Sequence, residues 1–345
     1  MGRPDRENGQ ARGPVKDNRG VHRCDAQERI SVRDVLLSQC SSTSADTAVP
    51  GFRNFLTKRM PMAPNPQVSC IVLNWNGWQN TLECLDALKQ CSYPEFAIIV
   101  VDNGSTDDSI ARIRAAHPDI RMLETGKNLG FAGGNNVGIR YALAHNSDYV
   151  WLLNNDTRPA PDALSALLAK ALADKRIGAV ASVTYYADSP SRVEAWAGAR
   201  INLWIGYGRN STMPHTDDWF HSLNGASMLI ARPALEDAGL LDEGFFLYWE
   251  DTEFCLRLRK RGWRLAAAPE SRVLHKVNAS TGGNRIVLDR YQTASGLRLL
   301  RLHSPSPRLA SSLFLSIRFA RRLLRLQFAR CRSVWLGIQD YGRMA

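Results

Sequence analysis

The chain has 345 residues, with 44 Lys or Arg against 33 Asp or Glu, which gives a formal net charge of +11 at pH 7. Hydrophobic residues make up 44% and charged residues 22%, proportions that exclude a wholly disordered, collagen-like or coiled-coil chain. The seven cysteines form no C-x-x-C pair and no cluster with histidine at zinc spacing, so we expect no disulfide framework, no structural zinc and a cytoplasmic location.

The positive charge is concentrated at the two ends of the chain. Residues 1–66 carry a net charge of +4 and residues 285–345 a net charge of +10, which leaves −3 for residues 67–284. The high isoelectric point therefore does not indicate a nucleic-acid partner for the central part. We expect a disordered N-terminal extension over residues 1–66, a catalytic domain over 67–284 and a basic helical segment over 285–345.

Apolar runs alternate with helical segments after residue 66. Buried strands are predicted over residues 68–73, 97–101 and 149–153, with a short strand near residue 122. Helices are predicted over residues 81–90, from Asp107 or Asp108 to residue 116, and over about 135–144. This alternation predicts an α/β fold with a parallel, doubly wound sheet.

The pattern is looser in the second half. A helix is predicted up to about residue 173 and strands near residues 179–185 and 226–230, followed by a helix that carries residues 257–261 and a strand that ends at His275. No internal repeat is visible.

Three strands of the first half end in polar clusters, N-W-N-G after residue 73, D-N-G-S-T-D after residue 101 and N-N-D-T after residue 153. Ligands of such sheets bind at the carboxyl ends of the strands, so we expect the clusters to face one cleft. Asp102 can accept hydrogen bonds from a nucleotide or serve as a turn residue. Asp156 can hold a divalent cation against a diphosphate, or cap the helix after Pro159.

An acid pair, Glu250-Asp251, follows the aromatic segment F-F-L-Y-W. Apolar walls raise the pKa of a carboxyl and make it a useful general base, although acids are also favoured in a first helical turn. His275 is either a metal ligand or a structural histidine. The segment G-F-A-G-G-N-N lacks the dinucleotide fingerprint, which disfavours a dehydrogenase.

Together these segments resemble the family 2 glycosyltransferases. The resemblance is carried in order, from residue 68 to residue 275, by V-S-C-I-V-L-N-W-N-G, I-V-V-D-N-G-S-T-D, K-N-L-G-F-A-G-G-N-N, W-L-L-N-N-D-T, N-G-A-S-M-L-I and F-L-Y-W-E-D-T-E-F-C-L-R-L-R-K-R-G-W. The G-F-A-G-G-N-N and Y-W-E-D segments are most similar to a rhamnosyltransferase-like branch.

The resemblance implies a GT-A type fold, with a Rossmann-like, mostly parallel sheet flanked by helices and a C-terminal helical extension. It implies catalysis by Asp251 with Glu250 beside it, a divalent cation, Mg²⁺ or Mn²⁺, held by Asp156 and His275, and acceptor contacts from Asn224 and Trp249. The implied nucleotide-sugar contacts are Asn74, Asn76, Asp102, Asn103, Ser105, Asn128, Gly133, Asn135, Asn154 and Asp156. Asn154 stands where the family's D-x-D motif has its first Asp, which puts the metal affinity in doubt.

The implied reaction is an inverting, metal-dependent transfer of L-rhamnose from dTDP-rhamnose, or of a hexose from a UDP-sugar, to a cell-surface polysaccharide or lipid-linked glycan. A nucleotidyltransferase is an alternative, but residues 74–78 contain no Lys or Arg for a phosphate loop. A catalytically silent sugar-binding protein is a third reading, which the Asn154 departure keeps open.

The C-terminal segment contains a predicted basic amphipathic helix over residues 313–328. Arg318, Arg321, Arg322 and Arg325 lie on one face of it, and the charge-free run before Arg318 is too short to span a bilayer. We expect residues 308–332 to bind an anionic membrane surface, at the inner face of the membrane. The alternatives are packing on the catalytic domain and self-association as a homo-oligomer.

Overall fold

A computed structural model describes residues 65–277 and 285–344. The predicted disorder of residues 1–66 therefore lies almost entirely outside the described residues.

Strands and helices alternate through the first half, as predicted. The elements are β1 (Val68–Asn74), α1 (Trp78–Leu88), β2 (Phe96–Asp102), α2 (Ser109–Ala116), β3 (Arg121–Glu124), α3 (Gly130–Ala144) and β4 (Tyr149–Asn154). Helix α3 begins five residues before the predicted start, because its glycines are packing positions. A Cβ on Gly134 would lie 2.5 Å from Cδ1 of Leu73, and one on Gly138 would lie 2.7 Å from Cγ2 of Ile71, so only glycine lets α3 lie this close to β1.

The second half has shorter strands and more hairpins. Its elements are β5 (Thr157–Pro159), α4 (Ala163–Leu172), β6 (Ile177–Tyr186), β7 (Ser189–Trp196), β8 (Gly198–Asn202), β9 (Tyr207–Asn210), a 3₁₀ turn (Asp217–Trp219), β10 (Ser222–Leu223), β11 (Ser227–Ala231), α5 (Arg232–Ala238), α6 (Glu250–Lys260) and β12 (Arg264–His275). Three acidic residues in its first turn and three basic residues in its last turn complement the dipole of α6.

Nine strands form the main sheet in the order β3-β2-β1-β4-β11-β6-β12-β5, with β7 paired to β6. Strands β3, β2, β1 and β4 are parallel, and β12 is parallel to β6. Strand β11 is antiparallel to both β4 and β6, so β6 runs in the same direction as β4. The mostly parallel α/β sheet is therefore confirmed. A small antiparallel sheet, β10-β8-β9, lies beside it.

The register brings the predicted polar clusters level at one edge of the sheet. Asn74 at the end of β1 pairs with Asp102 at the end of β2, and Leu73 pairs with Asn154 at the end of β4. The strands before these residues are buried and apolar on both faces, because helices cover the sheet. The parallel strands thus carry their polar ends out of the core side by side.

Three helices follow the sheet, α7 (Arg285–His303), α8 (Pro307–Leu323) and α9 (Phe328–Met344). The predicted single helix over residues 313–328 is therefore wrong, because α8 ends at Leu323 and a turn over residues 324–327 separates it from α9. The predicted free arginine face is also wrong in part. Arg318 and Arg322 keep only 13% and 10% of their side chains exposed, because both turn inward to the carboxylate of Asp289 on α7.

None of the helices in the two described segments is long and apolar enough to cross a bilayer.

Candidate active site

The ends of β1 and β2 are joined by side-chain hydrogen bonds. Asn74 Nδ2 donates to Asp102 Oδ2 (2.8 Å) and to Ser105 Oγ (3.1 Å), and the Ser105 amide donates to Asp102 Oδ1 (2.9 Å). The backbone amide of Asn76, which has a left-handed φ of 50°, donates to Ser105 Oγ (2.9 Å). Asp102 is only 1% exposed, so its carboxylate holds this corner rigid, and its contact with a nucleotide stays a prediction.

A second predicted donor contact, Asn103, organises the loop before α3. Its Nδ2 donates to Asn128 Oδ1 (3.1 Å) and to the Gly130 carbonyl (3.0 Å), while its Oδ1 accepts from the Leu129 amide (2.9 Å). Contacts of Asn103 and Asn128 with a nucleotide sugar stay predictions.

Two further predicted donor contacts, Gly133 and Asn135, lie inside α3. A Cβ on Gly133 would lie 2.8 Å from Cβ of Leu129, and Asn135 Nδ2 donates to the Phe131 carbonyl (2.9 Å) within the helix. The close approach at Gly133 is therefore to the protein's own side chain. A donor contact from either residue stays a prediction.

The β1 corner is connected to the end of β4. Thr81 Oγ1 on α1 donates to Asn74 Oδ1 (2.8 Å), and Asn155 Nδ2 donates to Thr81 Oγ1 (2.9 Å). Asn154 ends β4, where its carbonyl accepts from Thr157 Oγ1 (2.6 Å). The three predicted clusters thus meet at one edge.

Asp156 follows Asn155 and is 5% exposed. It does not cap the next helix, whose first flanking residue is Asp162. Nε2 of His275, at the end of β12, lies 3.4 Å from Asp156 Oδ1, and Nδ1 of the same ring lies 3.4 Å from Glu194 Oε2 on β7. The predicted pair of Asp156 and His275 is therefore brought together, with Glu194 behind it.

Glu194 is a site residue that the sequence did not reveal, because it lies in an irregular hairpin without a recognisable motif. Burial opposes the charged imidazolium of His275, but Asp156 and Glu194 outweigh burial and raise its pKa to about 9. Burial likewise opposes ionisation of Glu194, yet its bonds with His275 and Thr184 lower its pKa below the usual value.

The donor set at Asp156 and His275 fits a divalent cation that takes most of its ligands from elsewhere. Mg²⁺ and Mn²⁺ sites use few protein oxygens and complete their shell with water and substrate phosphates. The described residues contain no cluster of three or more His, Cys, Asp or Glu arranged to hold a metal alone. Glu194 occupies the position of a group that orients a metal-binding histidine through its second nitrogen.

Glu194 also connects the histidine to the acid pair. Its carboxylate accepts from Thr184 Oγ1, to which Asn224 Nδ2 donates (3.5 Å). The amide of the next residue, Gly225, donates to Asp251 Oδ2 (3.1 Å), while Asp251 Oδ1 accepts from the Thr252 amide (2.6 Å). Asn224, a predicted acceptor contact, therefore lies between the histidine and Asp251.

The acid pair stands in a strained and largely buried position. Tyr248 and Trp249, immediately before it, both adopt left-handed backbone angles, with φ of 68° and 71°, and such strain is characteristic of functional sites. Burial raises the pKa of Asp251, and burial together with Asp251 raises the pKa of Glu250 well above the usual value. Glu250 Oε2 has no hydrogen-bond partner among the described residues.

Trp249 is half-buried and packs against an apolar cluster formed by β8, Phe245 and α7. A Cβ on Gly208 of β9 would lie 3.7 Å from its ring, so much of the indole is committed to the small sheet. Its predicted contact with an acceptor is therefore limited to the remaining exposed part and stays a prediction.

The fold is of the GT-A type found in glycosyltransferases. The chain superimposes on a mannosyltransferase from Pyrobaculum calidifontis, solved in complex with GDP-Man and Mn²⁺, with a TM-score of 0.51 and 20% identity, over 84% of this chain and 80% of that one. Residues 69–237, just under half of the chain, match the family model described as Glycosyl transferase family 2, so this stretch carries a domain of that family.

Two curated relatives agree with this assignment. An N-acetylglucosaminyl-diphospho-decaprenol L-rhamnosyltransferase of Mycobacterium tuberculosis is 29% identical over 209 residues, which are 54% of this chain and 68% of that protein. A low-salt glycan biosynthesis hexosyltransferase of Haloferax volcanii is 30% identical over 177 residues, which are 47% of this chain and 53% of that protein. The predicted family and class of enzyme are confirmed.

Proposed function

We propose that this glycosyltransferase transfers L-rhamnose or a hexose from a nucleotide sugar to a lipid-linked glycan or polysaccharide, with inversion at the anomeric carbon. The observation that carries the proposal is a path of side-chain contacts and chain neighbours that joins Asp102, Asp156 and Asp251. Glycosyl transfer needs one group that binds the nucleotide, one that holds a cation against the diphosphate charge and one that deprotonates the acceptor. The three connected carboxylates can supply these three functions.

Asp251 is the general base of the proposed reaction. It removes the proton from an acceptor hydroxyl as the oxygen attacks the anomeric carbon and the nucleoside diphosphate departs. Its raised pKa makes it a better base than an ordinary Asp, and the amides of Gly225 and Thr252 hold it in place. No covalent intermediate is required.

A divalent cation would be held by Asp156 and His275, with Glu194 orienting the imidazole. When bound, it supplies positive charge that stabilises the diphosphate leaving group. The amide of Asn154 stands where a second carboxylate is expected, so more of the cation's ligands must come from the donor.

L-Rhamnose from dTDP-rhamnose is the first donor to test, because the Mycobacterium tuberculosis relative is named as an L-rhamnosyltransferase. The name of that relative also contains a diphospho-decaprenol, a lipid-linked acceptor. We place the reaction in the cytoplasm at the inner face of the membrane, with the C-terminal helices as the contact to anionic lipid.

The test is a panel of nucleotide sugars assayed with Mg²⁺, Mn²⁺ or a chelator, with lipid-linked glycan acceptors. We expect transfer from one donor, loss of transfer with the chelator, and a product whose anomeric configuration, read by NMR, is opposite to that of the donor. In a parallel assay with a nucleoside triphosphate and a sugar 1-phosphate, release of pyrophosphate and formation of a nucleotide sugar would instead indicate a nucleotidyltransferase. Donor binding without turnover on any acceptor would indicate a silent sugar-binding protein.

A further inference from the structure

Five arginines converge where α8 turns into α9. Together with Ile317 and Gln327 they line a cavity of about 220 Å³. The five are Arg318, Arg321, Arg322, Arg325 and Arg330. The carboxylate that pairs with this group is Asp289, which is 1% exposed and lies beneath it. The cavity therefore holds a large excess of positive charge over negative.

Asp289 is already shared among three of the arginines. Arg322 Nε and Arg330 Nε donate to its Oδ2 (2.9 and 2.6 Å), and an Arg318 terminal nitrogen donates to its Oδ1 (3.2 Å). Burial disfavours the charged form of Asp289, but the hydrogen bonds from Arg322 and Arg330 outweigh burial and hold its pKa below the usual value. One carboxylate thus balances one of three guanidinium charges, of which Arg322 is buried and Arg318 and Arg330 are partly buried.

The remaining cationic groups have unused hydrogen-bonding capacity. Among the described residues, buried Nε of Arg318 has no hydrogen-bond partner, and no carboxylate lies within 4.0 Å of Arg321 or Arg325. Burial and the charge of Arg322 lower the pKa of Arg318 to about 10. An anion with several acceptor oxygens would satisfy donors that the protein leaves unpaired.

Exposed apolar side chains alternate along the chain with the cavity residues Arg325 and Gln327. Leu324 is 86% exposed, Leu326 74% and Phe328 65%. Leu326 also has a left-handed φ of 53°, so the chain accepts backbone strain to project this leucine outward. Exposed apolar side chains next to a cationic cavity can contact the acyl chains of a lipid while the cavity contacts its head group.

We propose that this arginine cavity binds the phosphate group of an anionic membrane lipid, with Leu324, Leu326 and Phe328 inserted beside it. The inference rests on the proposed membrane association and gives it a specific site. Arg318, Arg322 and Arg330 form the floor of the cavity with Asp289, and Arg321 and Arg325 close over the phosphate from the exposed side.

The test is flotation of the full chain with vesicles of phosphatidylcholine, with and without phosphatidic acid. The variant Arg321→Gln with Arg325→Gln removes the two arginines that have no carboxylate partner, and Arg301→Gln with Arg308→Gln is the matched control. Arg308 lies about 20 Å from Arg321 along α8 at the helical rise. We expect partition to phosphatidic acid to fall about fivefold for each cavity arginine removed, with little change in the control. Equal loss in both variants, or loss in neither, would overturn the cavity.

A second measurement separates a lipid head group from free phosphate. Inorganic phosphate at constant ionic strength should raise the melting temperature of the wild-type chain but not of the cavity variant. The variant Leu324→Ser with Leu326→Ser should keep this phosphate response and lose flotation. If the wild-type chain responds to phosphate but does not float with phosphatidic acid, the ligand is a soluble phosphate compound and the lipid assignment is wrong.

Sugar transfer to a soluble acceptor, assayed without vesicles, reports on the proposed function independently. Neither Arg321 nor Arg325 lies on the path that joins the three acids. We therefore expect the variant with both arginines replaced to keep this activity. Lost vesicle binding with intact transfer would then concern the cavity alone.

Discussion

Glu250 and Asp251 are adjacent buried carboxyls, but the protein treats them differently. Asp251 accepts hydrogen bonds from the amides of Gly225 and Thr252, which support its ionised form, whereas Glu250 Oε2 has no partner among the described residues. These surroundings therefore favour the charged form of Asp251 over that of Glu250, and a general base must be charged.

Replacement of Asp251 by Asn should remove turnover while donor binding persists. Loss of a general base lowers kcat by about 10² to 10⁴-fold. Glu250→Gln is the matched control, because it makes the same carboxyl-to-amide change at the neighbouring position. Steady-state kinetics and calorimetric donor titration measure both effects. A kcat for Asp251→Asn near that of the wild type would move the base elsewhere.

The same Glu250→Gln variant should be more stable than the wild type at pH 7. The pKa of Glu250 in the folded state lies above its unfolded value of about 4.3. Between these two pKa values the folded state binds more protons than the unfolded state, so the wild-type protein loses stability as the pH rises above about 4.3. Glutamine does not ionise, so the gain should grow from pH 4 to pH 7. Urea unfolding at several pH values tests this, and a constant difference across the range would contradict it.

Glu194 acts at one remove from the proposed cation, through His275. Glu194→Gln should weaken Mn²⁺ binding about 10 to 100-fold, because the imidazole loses the carboxylate that fixes its orientation. Calorimetric titration of Mn²⁺ in the presence of a nucleoside diphosphate measures the affinity. Asp188→Asn, at an exposed position in the same hairpin, is the control, and equal affinity in the two variants would remove the orienting role.

At the scale of elements, the turn between α8 and α9 sets two leucines in contrasting conformations. Leu324 has a right-handed φ of −58° and Leu326 a left-handed φ of 53°, and both are exposed. Leu326→Gly should therefore raise the free energy of unfolding by about 0.5 to 1 kcal/mol, because glycine adopts the left-handed region without strain.

Leu324→Gly is the counterpart and should lower the free energy of unfolding by about 0.5 to 1 kcal/mol, since glycine gains only unfolded-state freedom there. Chemical denaturation of both variants gives the comparison. Destabilisation of the same size in both would show that the backbone angle at Leu326 carries no strain.

The elements differ in how far the sequence could predict them. Strands β1, β2 and β4 are short apolar runs bounded by polar turns, a pattern with one reading, and their ends locate Asp102 and Asp156. The predicted helix is shorter than α3, because Gly133 and Gly134 are typical of a loop. In the structure Leu129 and Leu73 fill the space beside these glycines. The sequence pattern predicts a lipid-binding arginine face on α8 and misses the inward pairing of Arg318, because its partner Asp289 is 29 residues away in sequence.

At the scale of the whole molecule, the C-terminal helices contact the segment that carries the acid pair. Ser295 Oγ on α7 donates to the Leu247 carbonyl (2.9 Å), and His303 Nε2 lies 3.2 Å from Glu253 Oε1 in the first turn of α6. Sequence alone could not show this, because charge and composition separate residues 285–345 from the catalytic part while the contacts join them. Helix α7 therefore packs on the catalytic part, whereas packing of the predicted basic helix within residues 308–332 on that part stays a prediction.

The ion pair between Arg298 and Asp242 tests whether α7 supports catalysis as well as folding. Arg298 donates from Nε (3.0 Å) and from a terminal nitrogen (2.8 Å) to Asp242 Oδ2, a two-point contact at the start of the segment that leads to Asp251. Arg298→Gln should lower the free energy of unfolding by about 1.5 to 3 kcal/mol, the range for hydrogen bonds to charged groups. It should also lower kcat, because Arg298 holds the start of the segment that leads to Asp251.

Arg301→Gln, one turn further along α7 and exposed, is the control for the loss of charge. The double variant of Arg298→Gln with Asp242→Asn should cost less than the sum of the single changes, since both remove the same contact. If Arg298→Gln unfolds more easily yet keeps full kcat, α7 stabilises the fold without positioning the acid pair.

A chain ending before residue 285 would lose all these contacts at once. Its failure to bind vesicles could therefore not be ascribed to lipid recognition. The point variants separate loss of lipid binding from loss of folding stability.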